Sequence, residues 1–242
     1  MRQQLLVATI AMSALATSAC SEGSAQSAGP ATSRNYQVGG FTALEVTGPF
    51  DVKVVTGRAV AVSARGPQKL LDETEVVVEN GKLRIRPRRK GWLGNMSWTS
   101  RGNAVFTVSV PTLDQASVMG SGDVDVDRVA GNRFKGAIAG SGNMRLRQVA
   151  VQELGLSIAG SGEITAAGQA KTASYSIAGS GDLDASSLRT ADASASINGS
   201  GNIKARATGT ANATINGSGD IAITGGARCQ SRKHGSGDIH CS

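Results

Sequence analysis

At 242 residues the chain is long enough for one or two domains with a real core. Its 32 glycines, 3% aromatics and 40% hydrophobic residues argue for a thin core of small aliphatic side chains, as in an all-β stack, and against a helical bundle. The formal charge of +7 is local: Lys82, Arg84, Arg86, Arg88, Arg89, Lys90 and Arg101 have no acid among them, and the remainder balances 18 basic against 18 acidic residues. That marks one patch and argues against a specific nucleic-acid binder.

Residues 1–20 read as a targeting segment. Arg2 precedes the apolar run "LLVATIAMSALA" (Leu5 to Ala16), too short to span a bilayer as a permanent helix. The following "TSAC" resembles a bacterial lipoprotein signal, with Cys20 lipidated as the first mature residue. Thr17 stands where that pattern has Leu, and ordinary cleavage near Ala19 is the alternative. Both readings place the mature chain outside the cytoplasm, either in the outer membrane and periplasm or on the cell surface. Residues 21–33, small and polar, read as a flexible tether.

Residues 34–111 read as strands. In "LEVTGPFDVKV" the residues Leu44, Val46, Phe50, Val52 and Val54 keep a period of two, and "AVAVSARG" continues the pattern. "TEVVVENGKLRIRP" carries Asn80-Gly81, a dipeptide suited to a two-residue hairpin. "AVFTVSVP" closes the region with Phe106, Val108 and Val110 in phase. Before it lies "RPRRKGWLGNMSWTSRGN", expected to be an exposed loop. Its Arg88, Arg89, Lys90, Trp92 and Trp98 combine positive charge with flat apolar surface, which suits anionic glycans or lipid headgroups. The plainer reading is a solvated loop whose tryptophans cover the end of the core.

Residues 112–242 repeat. A Gly-Ser-Gly unit begins at Gly120, Gly140, Gly160, Gly179, Gly199, Gly217 and Gly235, at intervals of 20, 20, 19, 20, 18 and 18. Such a period is the signature of a solenoid, whose turns bury their apolar faces only against their neighbours. Around the fourth unit, Ala173, Tyr175 and Ile177 alternate with serines, and Leu183 and Ala185 flank Asp184, so strands run into and out of each unit. The unit itself is a corner repeated on every rung. The glycines, completed by Gly122, Gly142, Gly162, Gly181, Gly201, Gly219 and Gly237, accept backbone angles costly to other residues and leave no Cβ to crowd the next rung. The serine points outward, and the next residue (Asp123, Asn143, Glu163, Asp182, Asn202, Asp220, Asp238) is expected to cap the turn through local backbone amides.

The stretch "TGPFDVKV", the "SIAGSGEI" and "INGSGDI" units and the lipoprotein-like signal together resemble the putative auto-transporter adhesin, head GIN domain family, from about Asn35 to the end. The resemblance implies an all-β, right-handed parallel β-helix-like solenoid of about seven rungs of roughly 20 residues, similar to pectin lyases without their catalytic residues, with a role in adhesion. The strand-rich N-terminal half precedes it, and 34–242 reads as one continuous head. No membrane β-barrel follows Ser242, so a lipid anchor or simple secretion is expected in place of literal auto-transport.

Stacking in register predicts that Asp125 neighbours Arg145 and that Asp184 neighbours Lys204. Six positions before and after the corner lie Ala173/Ala185, Ala193/Ala205 and, in the last rung, Cys229/Cys241. Those small residues imply facing walls close enough for a disulfide, which would staple the terminal rung by about 3 kcal/mol in the chain-entropy model.

Other sites weigh less. The corner serines have no activating base. Cys229, His234, His240 and Cys241 are ligands of the right type for zinc, but adjacent strand residues point apart. Calcium on the acid and amide row is broken by Asn143 and Asn202. Asp123, Asp125 and Asp127 are the nearest thing to a carboxylate pair for glycan chemistry. Four N-x-S/T sites, at Asn95, Asn198, Asn212 and Asn216, carry little meaning behind a bacterial-type signal. The expectation is a non-enzymatic envelope or surface head without cofactor or metal, acting as an adhesin or scaffold. The alternatives are a carbohydrate-active enzyme on the same coil and a periplasmic structural lipoprotein.

Overall fold

The two glycines of each corner are required for different reasons. The first has φ between +128° and +139° in all seven corners, a region that costs other residues strain. The second has no such angle, but a Cβ there would lie 1.8–2.4 Å from a backbone oxygen of the rung beneath. Corners therefore sit directly on corners, as the repeat predicts. The computed structural model describes residues 31–88 and 103–242, and the fold below is that of these residues.

The strands are β1 (Ala31–Tyr36), β2 (Ala43–Thr47), β3 (Phe50–Thr56) and β4 (Ala61–Pro67). A short helix α1 (Gln68–Asp72) follows, then β5 (Thr74–Glu79), β6 (Lys82–Pro87), β7 (Ala104–Val110), β8 (Gln115–Gly120), β9 (Val124–Val126) and β10 (Val129–Gly140). The long strands β11 (Asn143–Gly160), β12 (Glu163–Gly179), β13 (Asp182–Gly199) and β14 (Asn202–Gly217) each wrap around the coil. β15 (Asp220–Thr224), β16 (Arg228–Gly235) and β17 (Ile239–Cys241) finish it. The chain is a parallel β-solenoid, and its seven corners bound about six turns where seven rungs were expected.

Parallel pairing carries each residue onto its equivalent one turn later. Ile138, Ile158, Ile177, Ile197 and Ile215 form one continuous column, none more than 2% exposed. Beyond the corner, Met144, Ile164, Leu183, Ile203 and Ile221 form a second. A third wall appears where β11 and β12 shift register, stacking Val149 on Gly168 and Gly168 on Leu188. The core is narrow, so a large side chain needs a small neighbour. A Cβ on Gly136 would meet Leu156 and Met144 within 2.9 Å, and Tyr175 stacks against Ala195.

The N-terminal half joins the same stack. β2 and β3 lie between β6 and β7 on one side and β8 and β9 on the other, all in parallel. "TGPF" is an eighth corner: Gly48, with φ +108°, lies 3.1 Å from where a Cβ on Gly120 would stand. The N-terminal end is closed by antiparallel strands, β5 on β6, β4 on β7 and β1 on β4, with Leu70 and Leu71 of α1 buried beneath. The Asn80-Gly81 hairpin forms as expected, at φ +52° and +72°. One boundary differs: β1 begins at Ala31, inside the stretch read as tether, because Ala31 to Ser33 pair with Pro67 to Arg65. The signal, Cys20 and residues 21–30 lie outside the described residues.

Candidate functional site

The basic segment builds the N-terminal end of one face, but not as a free positive patch. β6 carries Lys82, Arg84 and Arg86 outward, and its neighbours β2 and β5 bring three carboxylates to them. Lys82 pairs with Glu45 at 3.1 Å, Arg84 with Glu79 at 2.9 Å, and Arg86 with Glu75 at 2.7 Å and Glu79 at 3.1 Å. Glu75 and Glu79 face the cations across the Asn80-Gly81 hairpin, while Glu45 arrives from the distant β2. An open groove of about 1070 Å³ lies over this network, lined by Glu45, Thr47, Glu75, Arg84, Arg86, Pro87 and Arg88.

Arg88 differs from the three cations before it. It is exposed, its Nε donates to the Thr74 carbonyl at 3.4 Å, and among the described residues no carboxylate pairs with it. Its backbone N–H is fixed to the Glu73 carbonyl at 2.7 Å. The positive character of this end therefore begins at Arg88. Arg89, Lys90, Trp92 and Trp98, the other candidates of the loop, lie outside the described residues.

The corner row is built differently. All seven serines are exposed, as expected, but the backbone amides of the last six are engaged. The N–H of Ser141 donates to Gly120 O at 2.9 Å and that of Gly142 to the same oxygen at 3.0 Å; Ser180 and Gly181 repeat this on Gly160. An oxyanion hole needs N–H groups that are free to receive a developing charge, and here they are spent on the ladder.

The acid and amide row does not cap its own turns, which corrects the sequence reading. Asp123 Oδ1 accepts from both the backbone N–H and the side-chain amide of Asn143 (3.0 and 2.9 Å), one rung on. Asp182 does the same for Asn202 (3.2 and 2.8 Å), and Asp220 accepts from Asp238 N–H at 2.8 Å. The bonds run along the stack because parallel register places the next rung's amide closer than the local one.

Register predictions hold in position and shift in partner. Asp125 neighbours Arg145, but its ion pair is with Arg147. Asp184 neighbours Lys204; burial pushes its carboxyl up, while hydrogen bonds from Ser186 and the Lys204 charge outweigh this and hold it below its usual value. Asp127 accepts from Thr56 N–H at 3.0 Å. Asp123, Asp125 and Asp127 thus have three separate partners and do not face one another as a catalytic pair. At the C-terminus Cys229 and Cys241 form the predicted disulfide, with Cα atoms 6.4 Å apart, and the thiols of the alternative zinc set are consumed in it. Among the described residues no three His, Cys, Asp or Glu side chains gather as a metal site.

A second groove, about 540 Å³, escaped the sequence reading. It runs across four turns past Lys135, Gly155, Ser174 and Ser194, walled by the Arg133–Glu153 pair and by Asp192. Only the outward-facing Gly155 in a serine and charge column could have signalled it.

Residues 40–227 match the model of the family described as putative auto-transporter adhesin, head GIN domain. No curated protein matches the chain. Among solved structures, a putative adhesin from Bacteroides fragilis NCTC 9343 superposes with a TM-score of 0.79 at 24% identity, covering 88% of this chain and 97% of that one. A putative lipid binding protein from Parabacteroides distasonis ATCC 8503 gives 0.73 at 27% identity, covering 88% and 97%. A putative adhesin from the same organism gives 0.67 at 21%, covering 88% and 98%.

Proposed function

Because the chain belongs to the auto-transporter adhesin head GIN domain family, we propose that it is a non-enzymatic envelope head that binds anionic polymers or headgroups at its Arg88 end. The adhesin-like surface role follows from the family. The ligand class is our reading, and one observation carries it. Arg88 is exposed beside a large groove whose other arginines are neutralised by Glu45, Glu75 and Glu79. A guanidinium fork matches phosphate, sulfate or carboxylate oxygens in pairs. Arg89 and Lys90 follow in sequence, and Trp92 and Trp98 add flat surfaces for sugar rings or the headgroup region. The relative described as lipid binding favours the same chemistry.

The absence of turnover is part of the proposal, supported by the spent amides of the corners and the separately engaged aspartates. Lipidation at Cys20, with 21–30 as spacer, would hold the head at the membrane. Labelled palmitate incorporation, lost on Cys20→Ser, tests the anchor.

The binding experiment measures the chain against arrays of anionic and neutral glycans and against vesicles with phosphatidylglycerol or phosphatidylcholine alone. The expected result is binding to the anionic members of either set, weakened by salt. It should be lost when Arg88, Arg89, Trp92 and Trp98 are replaced by Ala together. Equal binding by that variant, or a preference for neutral ligands, contradicts the site. Release of shortened sugars from any glycan contradicts the non-enzymatic reading.

A further inference from the structure

On the third wall one arginine is stacked directly on another. Arg189 and Arg206 are exposed register partners on adjacent turns, and among the described residues no hydrogen bond or ion pair engages either guanidinium. Their outward column runs Ala130, Ala150, Gln169, Arg189, Arg206 and Thr224, one residue per turn and without a carboxylate. Like charges directly opposite each other on neighbouring strands are destabilising. Elsewhere the coil offsets its charges: Arg133 pairs with Glu153, Arg147 with Asp125, and Lys204 neighbours Asp184. Glu163 and Asp182 are like-charged neighbours too, but Asp182 accepts two hydrogen bonds from Asn202.

The juxtaposition is built into the backbone. β13 spends Ser186, Ser187 and Leu188 between Ala185 and Arg189, whereas in β14 Arg206 follows Ala205 directly, and both pairs stay in register. Thr190, 3% exposed, fixes the shortened turn by donating its hydroxyl to the Arg206 carbonyl at 2.8 Å. Thr208 donates in turn to the Thr190 carbonyl at 3.3 Å. Neighbouring parallel strands lie about 4.8 Å apart, so the two cationic side chains leave the surface side by side.

We propose that Arg189 and Arg206 form a second anion site, which takes the carboxylate or sulfate groups of an acidic glycan. A guanidinium fork matches either group, and one such group between the two arginines offsets their repulsion. Gln169 stands one turn before the pair and Thr224 one turn after it. They bring an amide and a hydroxyl that suit sugar hydroxyls, and an extended chain lying along the column meets all four residues. The column has no aromatic side chain to stack bases, which disfavours nucleic acid. Among the described residues the exposed large apolar side chain is Met119, on another wall, and two cations are fewer than a membrane-binding cluster carries.

The site goes beyond the Arg88 reading and does not depend on it. It lies six strand steps along the stack from β6, about 29 Å. Two guanidinium groups hold a ligand weakly, so the pair adds to the grip on a chain held elsewhere and does not retain one through the washes of an array.

The test is equilibrium titration at low salt with polygalacturonate, dextran sulfate, neutral dextran and phosphatidylglycerol vesicles. It uses the full chain with Arg88, Arg89, Trp92 and Trp98 replaced by Ala, so the Arg88 end is silent. Weak binding of polygalacturonate or dextran sulfate should remain, and dextran should not bind. Adding Arg189→Gln and Arg206→Gln should lower that affinity by about tenfold or more. In the otherwise unchanged chain, dextran sulfate should raise the melting midpoint more than it does with Arg189→Gln and Arg206→Gln. No residual binding, residual binding indifferent to the two Gln replacements, or equal binding of dextran overturns the site. Vesicle binding through the pair in place of glycan binding overturns the glycan as its ligand. Comparison of the unchanged chain with the four-Ala chain tests the Arg88 end separately, so either site can fail alone.

Discussion

Asn143 donates its backbone N–H and its side-chain amide to one oxygen of Asp123, 20 positions earlier in the chain. The same relationship recurs between Asn202 and Asp182. A side chain that a sequence reader assigns to its own turn thus fastens the next one. Replacing Asp123 by Ala should cost about 1 kcal/mol, the usual net value of such bonds. Asp123→Asn keeps an acceptor oxygen and should cost less than half as much. Chemical denaturation of the three chains measures both; equal losses for Ala and Asn would mean that charge, not acceptance, matters.

The corners make a sharper demand. Gly162→Ala puts a methyl 2.2 Å from Gly142 O, and Gly160→Ala adds φ strain at +131° to a similar clash. Strain of this kind alone costs about 1–3 kcal/mol. Both should lower the midpoint of unfolding markedly, while Ser161→Ala, between them and exposed, should move it little. Thermal melts compare the three.

This contrast explains what the sequence makes legible. Seven corners were readable because glycine is needed twice in each and nothing else substitutes. The eighth was not, since Phe50 stands where the second glycine belongs and stacks on Ala104 across a pairing of β3 with β7. β2 meets β6 and β8, neither of which follows it directly, so no local period announces that the N-terminal half belongs to the coil. The pairing of Lys82, Arg84 and Arg86 was half legible: Glu75 and Glu79 face them across the Asn80-Gly81 hairpin, while Glu45 arrives from β2, which a run of residues cannot display. The disulfide was legible because small residues six positions before and six after successive corners mark where the facing walls of a turn approach.

Among the described residues Tyr175 is the largest fully buried side chain, and its hydroxyl has no hydrogen-bond partner there. Burial accordingly pushes its pKa up. Tyr175→Phe removes an unsatisfied polar atom and keeps the ring, so stability should stay level or rise by about 1 kcal/mol. Tyr175→Ala should lose about 3–5 kcal/mol through the cavity. Calorimetry distinguishes these; a loss above 1 kcal/mol for Phe would reveal a partner for the hydroxyl.

Hydrogen bonds from the Thr210 side chain and backbone, at 2.5 and 3.0 Å, hold Asp192 below its ordinary value of 3.8. A carboxyl depressed in the folded state stabilises above its unfolded pKa and loses that contribution as pH falls through the folded value. Asp192 and Asp184 therefore contribute fully above about pH 4 and progressively less below it. Urea midpoints measured from pH 7 to pH 2 should decline in the acid range, and less steeply for Asp192→Asn.

Vertical register is the claim beneath all others, and engineered cysteines test it directly. Ser157 and Ser176 are register partners on adjacent turns, and Ser196 is the partner of Ser176 one turn further. Neighbouring parallel strands lie about 4.8 Å apart, within the span of a disulfide, whereas two turns lie beyond it. Mild oxidation should cross-link Ser157→Cys with Ser176→Cys in the folded chain and leave Ser157→Cys with Ser196→Cys open. Failure of the first pair, or closure of the second, would contradict the coil.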